Sequence, residues 1–169
     1  MNSTPKRQLP ISSTEARVER VNLFHWYIHS EIIIDAPSQK VWHVLTDWER
    51  LREWSPTLQG VSGDIRHGQT VDCLYRFRGN ELRPKHTLHY EEGKEFGWSD
   101  PMMPGIVDCH RYRVEALPDN RTCFIQSDEV RGPLSLFLGW LFIREMVTTY
   151  PAFNKALKGR VENQSNKNR

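Results

Sequence analysis

From Leu134 onward the chain carries an almost unbroken apolar block: Leu134, Leu136, Phe137, Leu138, Trp140, Leu141, Phe142 and Ile143. Behind it an apolar residue recurs every three or four positions, at Met146, Tyr150, Phe153, Leu157 and Val161. That spacing follows one helix face and predicts a single long helix from about Pro133 to about Val161. Pro151 removes a backbone donor inside it, so a kink or break is expected near Thr149. Upstream the period becomes two. Trp26, Ile28, Ile32 and Ile34 share one parity, as do Val71, Cys73, Tyr75 and Phe77, the alternation of half-buried strands. Strands are predicted over 24–34, 57–65, 70–78 and 83–91, with a short one over 96–99. A last hairpin over 106–117 and 122–130 turns at Pro118-Asp119-Asn120. Residues 100–105, with two prolines and the pair Met102-Met103, read as a loop. Two short helices follow the first strand. One opens at Pro37-Ser38, where Ser38 is expected to satisfy free N–H groups, and buries Val41, Trp42 and Leu45. The other is capped by Asp47, carries Trp48, Leu51 and Trp54, and ends at Pro56.

This order is α+β with antiparallel pairing throughout. It predicts a curved antiparallel sheet of six or seven strands wrapped around the long C-terminal helix, with the two short helices plugging one end. A sheet gripping one helix tends to leave a hollow between them, which is the main clue to function. Residues 21–163 form the expected single domain. Residues 1–20 read as a tail with a short helix from Thr14 to Val21, and 164–169 as a disordered tail.

The same order, with particular residues, resembles the helix-grip superfamily, also called START-like or SRPBCC. The branch it is most similar to is the polyketide cyclase/dehydrase and lipid-transport type. The matching pieces are Ile34-Asp35-Ala36-Pro37 leading to Val41-Trp42, Leu45-Thr46-Asp47, and Trp54-Ser55-Pro56. Further along they are Gly68, His110 with Tyr112, Gly132, Phe153-Asn154, Ala156-Leu157-Lys158 and Glu162. The resemblance covers about Ile28 to Glu162. It implies a fold that places hydrophobic-ligand carriers, cyclases and regulators on one frame, with no shared catalytic set to carry over.

Composition narrows the field. Six Trp, seven Phe and five Tyr are enough to wall a pocket for apolar or ring-shaped ligands. A net charge of +2, with basic residues scattered among acids, argues against a nucleic-acid partner. Three cysteines without a CxxC motif point to free thiols in a reducing compartment, so a cytoplasmic location is expected. No signal peptide is read at the start, and the longest apolar run, about ten residues, is half of a membrane span.

The chemistry-bearing residues are few. His86 and His89 on a strand point to opposite faces, and His25 and His29 lie about 13 Å apart along one, too far to share an ion. Neither a metal nor a cofactor is expected. No serine, cysteine or lysine nucleophile motif occurs. His110 is the best polar candidate. Folding the last hairpin at Asp119 sets His110 opposite Asp128, Tyr112 opposite Gln126 and Val114 opposite Phe124. A slip of one residue would instead put Ser127 opposite His110 and turn Glu129 inward. His110 with Asp128 or Tyr112 would suit acid–base work, or the orientation of a polar head group. Cys109 points away, and Arg111 and Arg113 are expected on the solvated outer face. The expected ligand-binding set is Tyr75, Tyr90, Phe96, Trp98, His110, Tyr112, Gln126, Phe142 and Met146. The Leu134–Ile143 block either closes the sheet's open end as buried core or, with Met102, Met103 and Trp98, lines a portal that touches a membrane surface transiently. Three functions fit: binding or transfer of a hydrophobic or aromatic small molecule (lipid, isoprenoid or polyketide-like), a cyclase/dehydratase-type enzyme, and a chaperone-activator-like interaction module.

Overall fold

The computed structural model describes residues 15–167; the parts of both expected tails beyond them lie outside the described residues. Among the described residues nine strands form one antiparallel sheet: β1 (Arg17–Asn22), β2 (His25–Ile34), β3 (Leu58–Gly63), β4 (Thr70–Phe77), β5 (Asn80–Leu82), β6 (Lys85–Glu91), β7 (Glu95–Met103), β8 (Ile106–Leu117) and β9 (Arg121–Arg131). The spatial order is β1-β2-β9-β8-β7-β6-β4-β3, with β5 pairing β4. The two helices are α1 (Ser38–Leu45) and α2 (Ser135–Lys167). This is the helix-grip arrangement, and α2 packs on β2, β9 and α1.

Several local expectations are corrected. The stretch read as a short N-terminal helix is β1, paired with β2 so that Arg20 lies opposite Trp26. All six of its residues are exposed. A helix there would have no face to bury, whereas the open edge of β2 offers a full ladder of partners. The second short helix shrinks to a single 3-10 turn at Leu51–Glu53, which still buries Leu51. Ser38 makes no capping bond; the Pro37 carbonyl instead accepts from the N–H groups of Lys40 and Val41. The 100–105 loop is mostly strand, because β7 pairs with β8 through Pro101 opposite Val107. Pro101 is tolerated because β6 pairs β7 only up to Trp98, so the missing N–H faces no ladder partner. Helix α2 runs through Pro151 without a break and continues beyond Val161 to Lys167.

The core is two apolar clusters. The larger joins the sheet, α1 and the later half of α2 through Phe96, Trp98, Tyr112, Phe124, Phe153, Leu157 and Val161. The smaller joins Ile28, Ile106 and Val130 to Ile143 and Tyr150, with Leu138, Phe142 and Met146 packed on it. The early half of α2 is not fully buried. Phe137 is 68%, Trp140 51% and Leu141 48% exposed, so the reading of this block as simple core fails. A helix apolar all round has more greasy surface than one sheet face can cover. The uncovered residues share one end of the molecule with the exposed Leu23, Phe24 and Leu134. There the Gly132 N–H bonds the Phe24 carbonyl and the Leu134 N–H bonds the Gly105 carbonyl.

Candidate functional site

A layer of buried polar groups lies where the two clusters meet. Strand parity brings it there. Ser30 shares the inward face of β2 with Ile28 and Ile32; Asp108, His110 and Tyr112 share that of β8; Gln126 and Asp128 share that of β9. From α2, Tyr150 and Asn154, one turn apart, point down onto them. The hairpin register is the first of the two expected: Tyr112 pairs with Gln126, Val114 with Phe124 and Arg111 with Ser127. The ladder is interrupted beside His110, where the Cys109 N–H donates to Asp128 Oδ1 at 3.1 Å. The interruption turns Asp128 into a backbone ligand as well as an interior charge.

The bonds form a chain. Tyr150 donates its hydroxyl to Asp128 Oδ2 at 2.6 Å, and its oxygen lies 3.3 Å from His110 Nδ1. His110 Nδ1 is also 3.6 Å from Asp128 Oδ2. A carboxylate facing Nδ1 favours the proton on that nitrogen, leaving Nε2 as an acceptor. The Gln126 amide fills that role, donating from Nε2 at 2.9 Å. Beside it Asn154 Nδ2 donates to Ser30 Oγ at 3.0 Å. Gln126, Asp128, Asn154 and Ser30 are each 1% exposed. Burial, partly opposed by Asp128, pushes the His110 pKa down to about 4, so the ring is neutral at neutral pH. Burial and the neighbouring Asp128, to which it is bonded, push the Asp108 carboxyl well up. Tyr112 and Tyr150 are also pushed up, chiefly by burial.

Aromatic rings flank this layer. Tyr112 stacks on His110 at 4.4 Å and on Phe96 at 4.7 Å between centroids. Trp98 sits 5.6 Å from His110 and stacks on His86 at 4.9 Å. His86 pairs with Asp100 at 3.1 Å, a second histidine–aspartate pair on the same wall. Tyr75 stands 6.0 Å from Trp98. Gly97 makes the approach of β7 to β8 here: a Cβ on it would sit 2.0 Å from the His110 carbonyl oxygen. Arg111, between His110 and Tyr112 on β8 and so turned to the other face, lies over this gap, half-buried rather than fully solvated, and bonds the Trp98 and His110 carbonyls at 2.7 and 2.9 Å.

Of the expected residues, the structure brings Trp98, His110, Tyr112, Gln126 and Asp128 into direct contact. Tyr75 stands at their edge, and Phe142 and Met146 line the smaller cluster alongside Tyr150. Tyr90 is elsewhere, under α1 against Trp42 and bonded to Glu92 at 2.5 Å. Phe96 bridges the two regions. Asp108, Tyr150, Ser30 and Asn154 were not singled out from sequence. Parity with His110 would have found Asp108, and helical spacing from Tyr150 would have found Asn154. Ser30 and Tyr150 hide among apolar neighbours. The residues around Tyr112 are packed on one another. A cavity of about 510 Å³ opens instead beside β3 and β4, lined by Trp48, Arg52, Gln59, Asp72, Cys73 and Arg83. Among the described residues no group of three His, Cys, Asp or Glu side chains is placed to hold a metal ion. Cys73 and Cys109 are free thiols.

Residues 25–162 match the family described as polyketide cyclase / dehydrase and lipid transport. No curated protein matches the sequence. Among solved structures, a START superfamily protein from Mycobacterium smegmatis superposes with a TM-score of 0.65 at 17% identity, over 82% of this chain and 98% of that one. The Zhui aromatase/cyclase from Streptomyces sp. R1128 gives 0.64 at 16% identity, over 83% and 96%. The protein TTHA0849 from Thermus thermophilus gives 0.63 at 15% identity, over 82% and 99%. At these identities the likeness is one of fold.

Proposed function

We propose that this chain, which belongs to the polyketide cyclase/dehydrase and lipid transport family, binds and transfers a hydrophobic or aromatic small molecule held between its sheet and C-terminal helix. The observation that carries this reading is the buried polar layer set between two apolar clusters and walled by Trp98, Tyr112 and Phe96. Such a layer costs free energy that an all-apolar core would avoid, and a ligand head group supplies a reason for it. Because the residues around Tyr112 are packed on one another, the ligand enters by parting the edge where Tyr75, Phe142 and Met146 remain half-buried. A fluorescent polyphenol titrated into wild type, His110→Ala and Val114→Trp tests it. Saturable binding that Val114→Trp abolishes and His110→Ala weakens is expected; equal behaviour of all three folded proteins would move the interaction-module reading ahead. The enzymatic alternative is weaker, because both ring nitrogens of His110 already have protein partners and a pKa near 4 makes a poor base.

Transfer needs a donor, and the uncovered start of α2 supports a membrane surface as that donor. Phe137, Trp140 and Leu141 are exposed there, and Arg144, one turn after Trp140, is exposed as well. Among the described residues no helix is long and apolar enough to cross a membrane, so contact would be peripheral. Vesicles containing anionic lipid should retain wild type and release Phe137→Ser/Trp140→Ser with no loss of thermal stability, since both residues face solvent. Unchanged retention would remove the membrane from this reading. The free thiols of Cys73 and Cys109 support a reducing compartment, the cytoplasm.

A further inference from the structure

Three buried atoms in the polar layer have no hydrogen-bond partner: Asp108 Oδ1, Gln126 Oε1 and Asn154 Oδ1. All three are acceptors, and for the two nearest His110 the neighbours make them so. Gln126 turns its Nε2 to His110 because Asp128 holds the His110 proton on Nδ1, so the other amide atom must be the oxygen. Asp128 has both oxygens accepting, one from Cys109 N–H and one from the Tyr150 hydroxyl. Asp128 therefore has no proton to give, and Asp108 Oδ1 is left without a donor. Asp100, directly across from Asp108 on the neighbouring strand, adds a third inward carboxyl, held by His86 and by the Thr87 N–H.

Buried groups without partners are rare, and the cost of leaving an acceptor unpaired is lifted only by something that donates. We infer that the polar layer selects a ligand whose head donates hydrogen bonds without carrying negative charge, a phenol or an alcohol, and rejects the corresponding carboxylate. An anion would bring a fourth acid group against Asp100, Asp108 and Asp128 and give none of the orphan oxygens a proton. Arg111, a cation beside the layer, is turned to the other face of β8, and its guanidinium bonds the Trp98 and His110 carbonyls. This inference rests on the ligand-binding reading above and specifies the chemistry of the head.

The test compares three probes of one shape: 2-naphthol, 2-methoxynaphthalene and 2-naphthoate, titrated into wild type at pH 7 by calorimetry. Naphthol should bind about tenfold tighter than the methyl ether, which accepts but cannot donate, and the carboxylate should bind more weakly than either. In Gln126→Leu the advantage of naphthol over the ether should shrink while affinity for the ether is kept. Asp108→Asn, which can still donate to Asp128 and still offers an oxygen, should keep it. Should Gln126→Leu not fold, the wild-type ranking alone decides. If all three probes bind alike, or the carboxylate binds best, the donor-selective head site is wrong while the ligand-binding reading stands. If the probes bind alike and a crystal structure shows water on the orphan oxygens, the acceptors are hydrated and the inference fails in the same way. If no probe binds, both readings fall.

Discussion

His110 and Asp108 stand two residues apart on one strand and carry opposite pH signatures. The unfolded histidine takes a proton below its ordinary pKa of 6.5, whereas the folded one waits until about 4. The unfolded chain therefore binds the extra proton in that window, and stability falls with falling pH by roughly 3 kcal/mol in total. Asp108 does the reverse. Its ordinary value is 3.8 and its folded value lies well above it, so the folded chain binds the extra proton and stability falls as pH rises from about 4. Around the pair stand Asp128, Asp100, His86, Arg111 and Tyr150. The two effects oppose each other in wild type, and single variants should expose them. Relative to wild type, His110→Gln should gain stability as pH is lowered through the window, and Asp108→Asn should gain as pH is raised. Urea unfolding at half-unit steps reads both slopes. Curves that stay parallel to wild type would mean that neither group holds an unusual proton state in the fold.

Among the elements, α2 does two jobs with one sequence pattern. Its later half is core: Phe153 is fully buried, with ring centroids 5.3 Å from Trp54, 5.3 Å from Tyr112 and 6.0 Å from Phe124. Phe153→Ala should cost about 3–5 kcal/mol in chemical denaturation, because three fixed aromatic neighbours leave the cavity little room to collapse. A loss below about 1 kcal/mol would mean that this half of the helix is not gripped by the sheet. Its earlier half has the same greasy composition and lies partly in solvent. That difference explains what was legible in the sequence. Period-two alternation identified β2, β4 and the β8–β9 hairpin, but left two registers open for the hairpin, of which the structure has the one that pairs Tyr112 with Gln126. Period 3.6 identified α2. Neither period says how much partner surface exists, so the exposure of Phe137 and Trp140 could not be read. The strand at 17–22 has no burial pattern at all, and only the free edge of β2 makes it a strand. In the site, polar residues adjacent to apolar ones on the same face, such as Asp108, were within reach of parity, whereas Tyr150 looked like one more core aromatic.

At the scale of the whole molecule the sheet is gripped on one side only. Helix α2 packs against β2 and β9, while on the far side the β4–β5 turn reaches it through Arg78, whose guanidinium lies 3.2 Å from Glu145. The turn is a two-residue hairpin with Arg78 at φ 48° and Gly79 at φ 82°, the left-handed pair that a tight turn of this kind requires. It presents Arg78 to the helix one turn before Tyr150 and the polar layer. The Arg78 side chain is 68% exposed and that of Glu145 30%, so the pair contributes about 0–1 kcal/mol and is not there to hold the fold. A weak bond spanning the ungripped side is suited to opening. If ligands pass between the β4–β5 turn and α2, Arg78→Glu, which sets like charges face to face, should leave the unfolding free energy within about 1 kcal/mol of wild type. It should also speed both association and dissociation of a bound fluorescent probe several-fold, with little change in Kd, because it lowers the same barrier in both directions. Stopped-flow mixing and competitor chase measure the two rates, and the double variant Arg78→Glu/Glu145→Arg should restore them. Rates equal to wild type in the single variant would place the entrance elsewhere, with the uncovered apolar end beside Phe137 and Trp140 as the next place to look.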